Sequence, residues 1–217
     1  MEYLIAVRQR VLRELTGIET IQAVLAGKPD LAVYARYLTN VFHYACHSAE
    51  VIALAGARCT RSHPEASSYL LHHAKEEMGH ELWALDDLRA LGIDEQAVRG
   101  GRPVPACAAM IAFEYYVAGR ANPVGLFGWL YVLESIGDDL GKRVAAGLQN
   151  GLGGSQRGIK FVAGHGVADH EHTADLTQVI SQHIRAAHDV ADVNHVADVS
   201  ADLYVRMFQQ IGAKDPA

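Results

Sequence analysis

The chain reads as an all-α bundle, and three observations carry that reading. Apolar residues recur at spacings of three and four along almost the whole sequence, the period that lays them on one face of an α-helix. Runs of alternating β-branched residues between turn signals, which would mark strands, are missing. Glycine and proline fall in clusters that divide the sequence into helix-length segments.

Taken in order, the first helix is expected from near Glu2 to the breakers Gly27, Pro29 and Asp30, with Asp30 placed to cap the next helix through its carboxylate. That second helix runs to about Ala57. Ser62, His63, Pro64 and Glu65 resemble a capped start with proline in the first turn, opening a helix that continues to Leu91 and ends at Gly92. From Gly92 to Pro105, with Gly100, Gly101 and Pro103 between, lies the longest irregular link. A helix from Ala106 to Arg120 stops at Asn122-Pro123, because the residue before a proline is pushed out of the helical region. The next helix runs from about Val124 to Leu148, and Asn150 to Ser155 forms a second flexible link. The helix after it carries Gly158, Gly164 and Gly166 inside, each costing about 1 kcal/mol relative to alanine. A last helix spans Val190 to Gly212 after a break near Ala187 to Asp192, and residues 213–217 are expected to fray.

With 217 residues, half of them apolar, the chain can bury one sizeable core, so residues 1–217 are expected to form a single domain. The formal charge of −6 comes without a block of like charges, which leaves no electrostatic footprint for nucleic acid or an anionic membrane. No segment reaches the roughly 18 to 20 uncharged apolar residues of a membrane span. Met1 to Leu12 carries Glu2, Arg8 and Arg10 and lacks the apolar run of a signal peptide. Cys46, Cys59 and Cys107 are an odd count at no zinc-finger spacing, as core thiols in a reducing compartment would be. A cytoplasmic protein is expected.

The chemistry lies in three stripes of one spacing: His43-x3-His47-x2-Glu50, His73-x3-Glu77-x2-His80 and His165-x3-Asp169-x2-His172. At about 100° per residue, the members of each stripe fall within an arc of roughly 60° on a helix. Imidazoles and carboxylates converging on one point hold a borderline divalent metal such as iron, manganese or zinc. Within the second stripe, Glu77-x-x-His80 is the i, i+3 pattern of helical-bundle di-iron proteins, although Glu and His are also common on solvated helix faces. Glu134 stands in FGWLYVLESIG with no basic partner within one turn. A lone carboxylate there carries a heavy desolvation cost, which metal coordination would offset. Glu114, in MIAFEYYV, is a reserve carboxylate of the same kind. The first stripe lies among Phe42, Tyr44, Val51 and Ile52, which suits histidines that support a site or line a substrate pocket better than ligands. No nucleophile elbow, phosphate-binding loop or dinucleotide fingerprint occurs.

The order Glu77-x2-His80, Glu134, His165-x3-Asp169-x2-His172 resembles the haem-oxygenase-like di-iron oxidase superfamily, over most of the chain from the second helix to the His165 helix. The resemblance implies a seven-helix haem-oxygenase-like bundle and a non-haem di-iron, dioxygen-activating oxidase or oxygenase. Its substrate would be an amino-acid- or fatty-acid-like small molecule, undergoing N-oxygenation, carbon–carbon cleavage or oxidative decarboxylation. It implies two irons cycling between Fe(II) and Fe(III), dioxygen as co-substrate, an electron supply from substrate or an external donor, and a homodimer as a common assembly. Carried over residue by residue, Glu77, His80, Glu134, His165, Asp169 and His172 are the ligands, with His73, Glu76 and Glu114 as alternatives. In some relatives the first carboxylate lies seven residues before the helix histidine, where this chain has His73. His43, His47, Tyr115, Tyr116 and Lys142 are candidates for the substrate pocket. Two relatives of the fold remain as alternatives: haem binders, although the expected axial histidine is missing from the first helix, and thiaminase-like enzymes with a cysteine nucleophile.

Overall fold

The structure, a computed structural model, describes the backbone of residues 1–213 and their side chains except those of 166–171. Among the described residues there are ten α-helices, one 3₁₀ turn and no strand. The helices are α1 (Glu2–Thr16), α2 (Glu19–Leu25), α3 (Leu31–Cys59), α4 (Pro64–Glu76), α5 (His80–Ala90), α6 (Glu95–Gly100), α7 (Pro105–Gly119), α8 (Leu126–Gly151), α9 (Lys160–His183) and α10 (Ala187–Gly212).

The count exceeds seven because two expected helices are broken and one link is helical. Gly17 closes α1, so the first expected helix divides into α1 and α2. The expected Pro64–Leu91 helix breaks at Glu77–Gly79, where Gly79 takes φ 92°, a left-handed backbone that only glycine adopts without strain. The link after Gly92 contains α6, capped by the Asp94 carboxylate on Gln96 N and Ala97 N. Gly158 lies outside α9 rather than inside it, at φ 88°, and α10 starts three residues earlier than expected. The Asp30 cap forms as expected, accepting from Ala32 N at 2.9 Å and Val33 N at 3.2 Å.

Two long helices organise the bundle. α8 packs against α9, α10, α1 and α2, while α3 packs against α4, α5 and α7. Their apolar faces, including Phe127, Trp129, Leu38 and Ile52, meet in one contiguous core. Arg8 of α1 clamps the middle of α8 with a two-pronged bond to Asp139 at 2.6 and 2.7 Å. No helix among the described residues is long and apolar enough to cross a membrane.

Candidate metal centre

The break between α4 and α5 turns the second histidine stripe into a corner. His73 stays on α4, 1 % exposed; Glu77 occupies the break; His80 is the first residue of α5. α8 presents Glu134 to this corner, and α9 brings His165 and His172 across from the other side.

Three groups of possible ligand atoms each draw together within 4.8 Å: Glu77, His80 and His165; His73, Glu76 and His172; and His73, Glu77 and Glu134. The first two share no residue, and the third joins them. Of the sequence-derived set, the structure brings together Glu77, His80, Glu134, His165 and His172. Asp169 is the sixth, and its side chain lies outside the described residues. His73 and Glu76, the alternatives, also join the cluster. Glu114 does not: it is 1 % exposed on α7, away from these groups, and burial pushes its carboxyl well above the usual range.

The contacts are close but poorly aligned for hydrogen bonding. His73 Nε2 lies 3.2 Å from Glu134 Oε1, His172 Nδ1 3.4 Å from Glu134 Oε2, and His80 Nδ1 3.1 Å from Glu77 Oε1. Both ring nitrogens of His73, Nδ1 of His80 and His172, and Oε2 of Glu134 are buried without a hydrogen-bond partner. Orphaned buried polar atoms are costly. Five of them on one cluster are the atoms a metal would satisfy.

Electrostatics hold the same cluster. Burial opposes ionisation of Glu134, yet the adjacent His172 and His73 rings outweigh it and depress its pKa. Glu77 is likewise depressed, with His80 overcoming burial. Burial opposes protonation of His73, but Glu134 outweighs it, and Glu134 raises His172 outright. His165 moves the other way: burial lowers its pKa and favours the neutral ring. Its Nδ1 lies 3.1 Å from the Phe161 carbonyl oxygen, and a proton donated there leaves Nε2 as a lone-pair donor.

Two residues that the sequence reading missed position α9. Asp87 of α5, 1 % exposed, caps the first turn of α9 by accepting from Lys160 N at 2.7 Å and Phe161 N at 2.8 Å. The available signal was an acidic residue within the apolar stretch LWALDDLRAL. Trp83 packs on both histidines of one group, with ring centroids 4.2 Å from His80 and 5.6 Å from His165. Gly164 permits that approach, since a Cβ there would lie 2.7 Å from Trp83 Cζ3.

Beside the cluster is a cavity of about 160 Å³, lined by His73, Glu77, Glu134 and His165 at one end. None of the expected pocket residues His43, His47, Tyr115, Tyr116 and Lys142 belongs to its lining. α3 lines it with Tyr37, Tyr44, Ser48 and Ile52. His43 and His47 each sit one residue before a lining residue, and that step turns them about 100° away. There His47 meets Tyr115, Nδ1 to Oη 3.0 Å, and Tyr115 donates to Glu50 at 2.8 Å. Tyr116 and Lys142 are exposed.

The comparisons agree with this architecture. A 2.30 Å structure of a domain of unknown function with a haem oxygenase-like fold, from Shewanella denitrificans, is 30 % identical and superposes with a TM-score of 0.86, over 98 % of this chain and 95 % of that one. A TenA homologue from Pseudomonas syringae superposes with a TM-score of 0.80 at 13 % identity, over 97 % of this chain and 91 % of that one. One from P. horikoshii reaches 0.78 at 12 % identity, over 97 % and 96 %. These last two likenesses establish the fold alone. No curated protein matches the chain. The model of the iron-containing redox enzymes matches residues 35–207, a span that holds every member of the His/Glu cluster, and the chain belongs to that family.

Proposed function

We propose that the chain is a non-haem di-iron oxidase or oxygenase that uses dioxygen on a small organic molecule held in the cavity beside the cluster. The observation that carries this reading is the pair of ligand groups without a common residue, joined through His73, Glu77 and Glu134. One group would hold one ion and one the other, with Glu77 and Glu134 between them. Glu77, His80 and His165 are the ligands of one iron in this reading. His73, Glu134 and His172 serve the second, with Glu76 at its exposed edge and Asp169 from α9. Four carboxylates and four histidines form a mixed oxygen and nitrogen set suited to iron. Bound iron supplies dioxygen binding and electron transfer, which side chains alone cannot.

The residues around the cluster have defined tasks. Phe161 fixes the ring of His165 through its carbonyl, while Tyr69 stacks on His73 at 5.6 Å and shields it. The apolar walls exclude bulk water from the buried carboxylates, which keeps charge interactions there strong. A cysteine nucleophile has little support. No cysteine lines the cavity, and desolvation pushes the thiols up to about 11 in Cys46 and Cys59 and about 12 in Cys107, away from the reactive thiolate.

Anaerobic titration with Fe(II) tests the proposal. About two irons per chain are expected, with a transient visible absorption on admitting air. Trace iron in a protein with intact helical circular dichroism would overturn it. Asp169→Ala is expected to lose one iron and keep the bundle.

A further inference from the structure

The two ligand groups meet solvent differently. In the group of Glu77, His80 and His165, aromatic rings cover the histidines: Trp83 packs on both, and the Phe161 ring centroid is 4.1 Å from that of His165. The other group opens outward through Glu76, whose side chain is 39 % exposed while His73 is buried. Beyond Glu76, one turn back along α4, stands His72, 72 % exposed, with Nε2 3.3 Å from Glu76 Oε1.

Donors continue inward from there. Glu76 Oε2 lies 3.6 Å from His73 Nδ1 and 3.7 Å from His172 Nε2. The opposite nitrogens of the same two rings face Glu134, His73 Nε2 at 3.2 Å and His172 Nδ1 at 3.4 Å. The two imidazoles therefore stand between an outer carboxylate and an inner one and present a donor to each. Two donors that each lie about 2.1 Å from a borderline divalent ion are about 3.0 to 3.4 Å apart at octahedral or tetrahedral angles. His72 Nε2 and Glu76 Oε1 already have that separation.

A dication does not enter a buried cluster bare, because stripping an isolated charge of water is far too costly. It must exchange waters for protein donors a few at a time, and His72, Glu76, His73 and His172 offer such donors in succession from the surface to Glu134. As a plain surface ion pair, His72 and Glu76 would contribute little to stability.

We infer that His72 and Glu76 are the entry port of the metal centre. His72 captures a hydrated divalent cation at the surface together with Glu76 Oε1, and Glu76 hands it inward to His73 and His172. The destination rests on the two-metal reading; the route rests on these contacts alone. A port lowers the barrier between solvent and cluster and leaves both ends unchanged, so it speeds entry and exit by the same factor.

Metal exchange rates test this. Cobalt(II) takes the same ligand types and reports its binding by visible absorption. Its uptake by metal-free protein is followed by stopped flow, and its release by transfer to excess EDTA. His72→Ala is expected to slow both by about tenfold, the lower end of what an electrostatically focused entrance adds to an on-rate, with the final cobalt content unchanged. His72→Glu keeps a metal donor at the surface and should restore the wild-type rates. His188→Ala, which removes a comparably exposed histidine from α10, should alter neither rate. Wild-type rates in His72→Ala overturn the inference, as do an equal slowing in His188→Ala and rates that stay slow in His72→Glu. Faster release or a lower final content in His72→Ala would make His72 a ligand and overturn it too. About two cobalt ions per chain with unchanged rates would remove the port and leave the two-metal reading standing. Trace uptake by wild-type protein with intact helices would remove both.

Discussion

His43, His47 and Glu50 repeat the spacing of His73, Glu77 and His80, yet the two stripes meet different surroundings. The first lies on the unbroken helix α3 and turns toward α7, where His47 and Glu50 share the Tyr115 hydroxyl at the protein surface. The second is bent at Glu77–Gly79 and turns inward, where α8 supplies Glu134 and α9 supplies two more histidines. Spacing gives both stripes a common face. Only the second is faced by carboxylates and imidazoles from other helices; there both ring nitrogens of His73 and Nδ1 of His80 are buried and unpartnered, as is Nε2 of His43 in the first. Convergence across helices, not spacing along one, distinguishes a candidate metal centre from a hydrogen-bonded surface.

The largest expected effect sharpens that contrast directly. Glu77→Ala should weaken iron binding by more than about 100-fold, since loss of even an outer partner of a ligand costs up to that much. Glu50→Ala should leave iron content unchanged. Elemental analysis of the two purified variants decides, and equal iron loss in both would erase the distinction.

Glu134→Ala comes next. It leaves His73 and His172 without their buried counter-charge, which should cost about 3 kcal/mol in urea unfolding of the metal-free protein.

The same cluster gives the metal-free protein a pH signature. His73 and His172 have folded pKa values raised above the ordinary 6.5, so their contribution is complete below that value and is lost as pH rises through the folded pKa. Glu134 is depressed from 4.5, so its contribution is present above that value and is lost as pH falls through the folded pKa. Urea midpoints of metal-free protein should therefore decline on the alkaline side of 6.5. Iron, which binds neutral imidazole, should remove that decline.

Smaller effects follow. Gly164→Ala places a Cβ against the Trp83 ring and should cost about 2 kcal/mol, with weaker iron binding as α9 is pushed from α5. Tyr115→Phe removes hydrogen bonds at a partly exposed site and should change stability by less than about 0.5 kcal/mol. A larger change there would mean that the first stripe supports more than its own surface.

Much of this was legible in the residues. Asp30 and Pro64 announce helix starts because capping and proline geometry are local. Glu134 stood out because a carboxylate among apolar neighbours needs a partner wherever the chain folds. The break at Gly79 was not legible, since an isolated glycine is tolerated within helices and only its left-handed backbone reveals the turn. Asp87 gave a weak signal, because its partners lie seventy-three and seventy-four residues away.

The sequence alone determined the helical class, most helix limits, and which side chains share a face, since all three follow from hydrogen bonding and side-chain period within one segment. The tertiary structure decided which stripe gathers a second and third helix, that His73 and Glu76 stand with the cluster while Glu114 does not, and that a cavity lined in part by α8 lies beside it. Those outcomes depend on how separate helices pack, and side-chain spacing within a helix carries no information about what it will face.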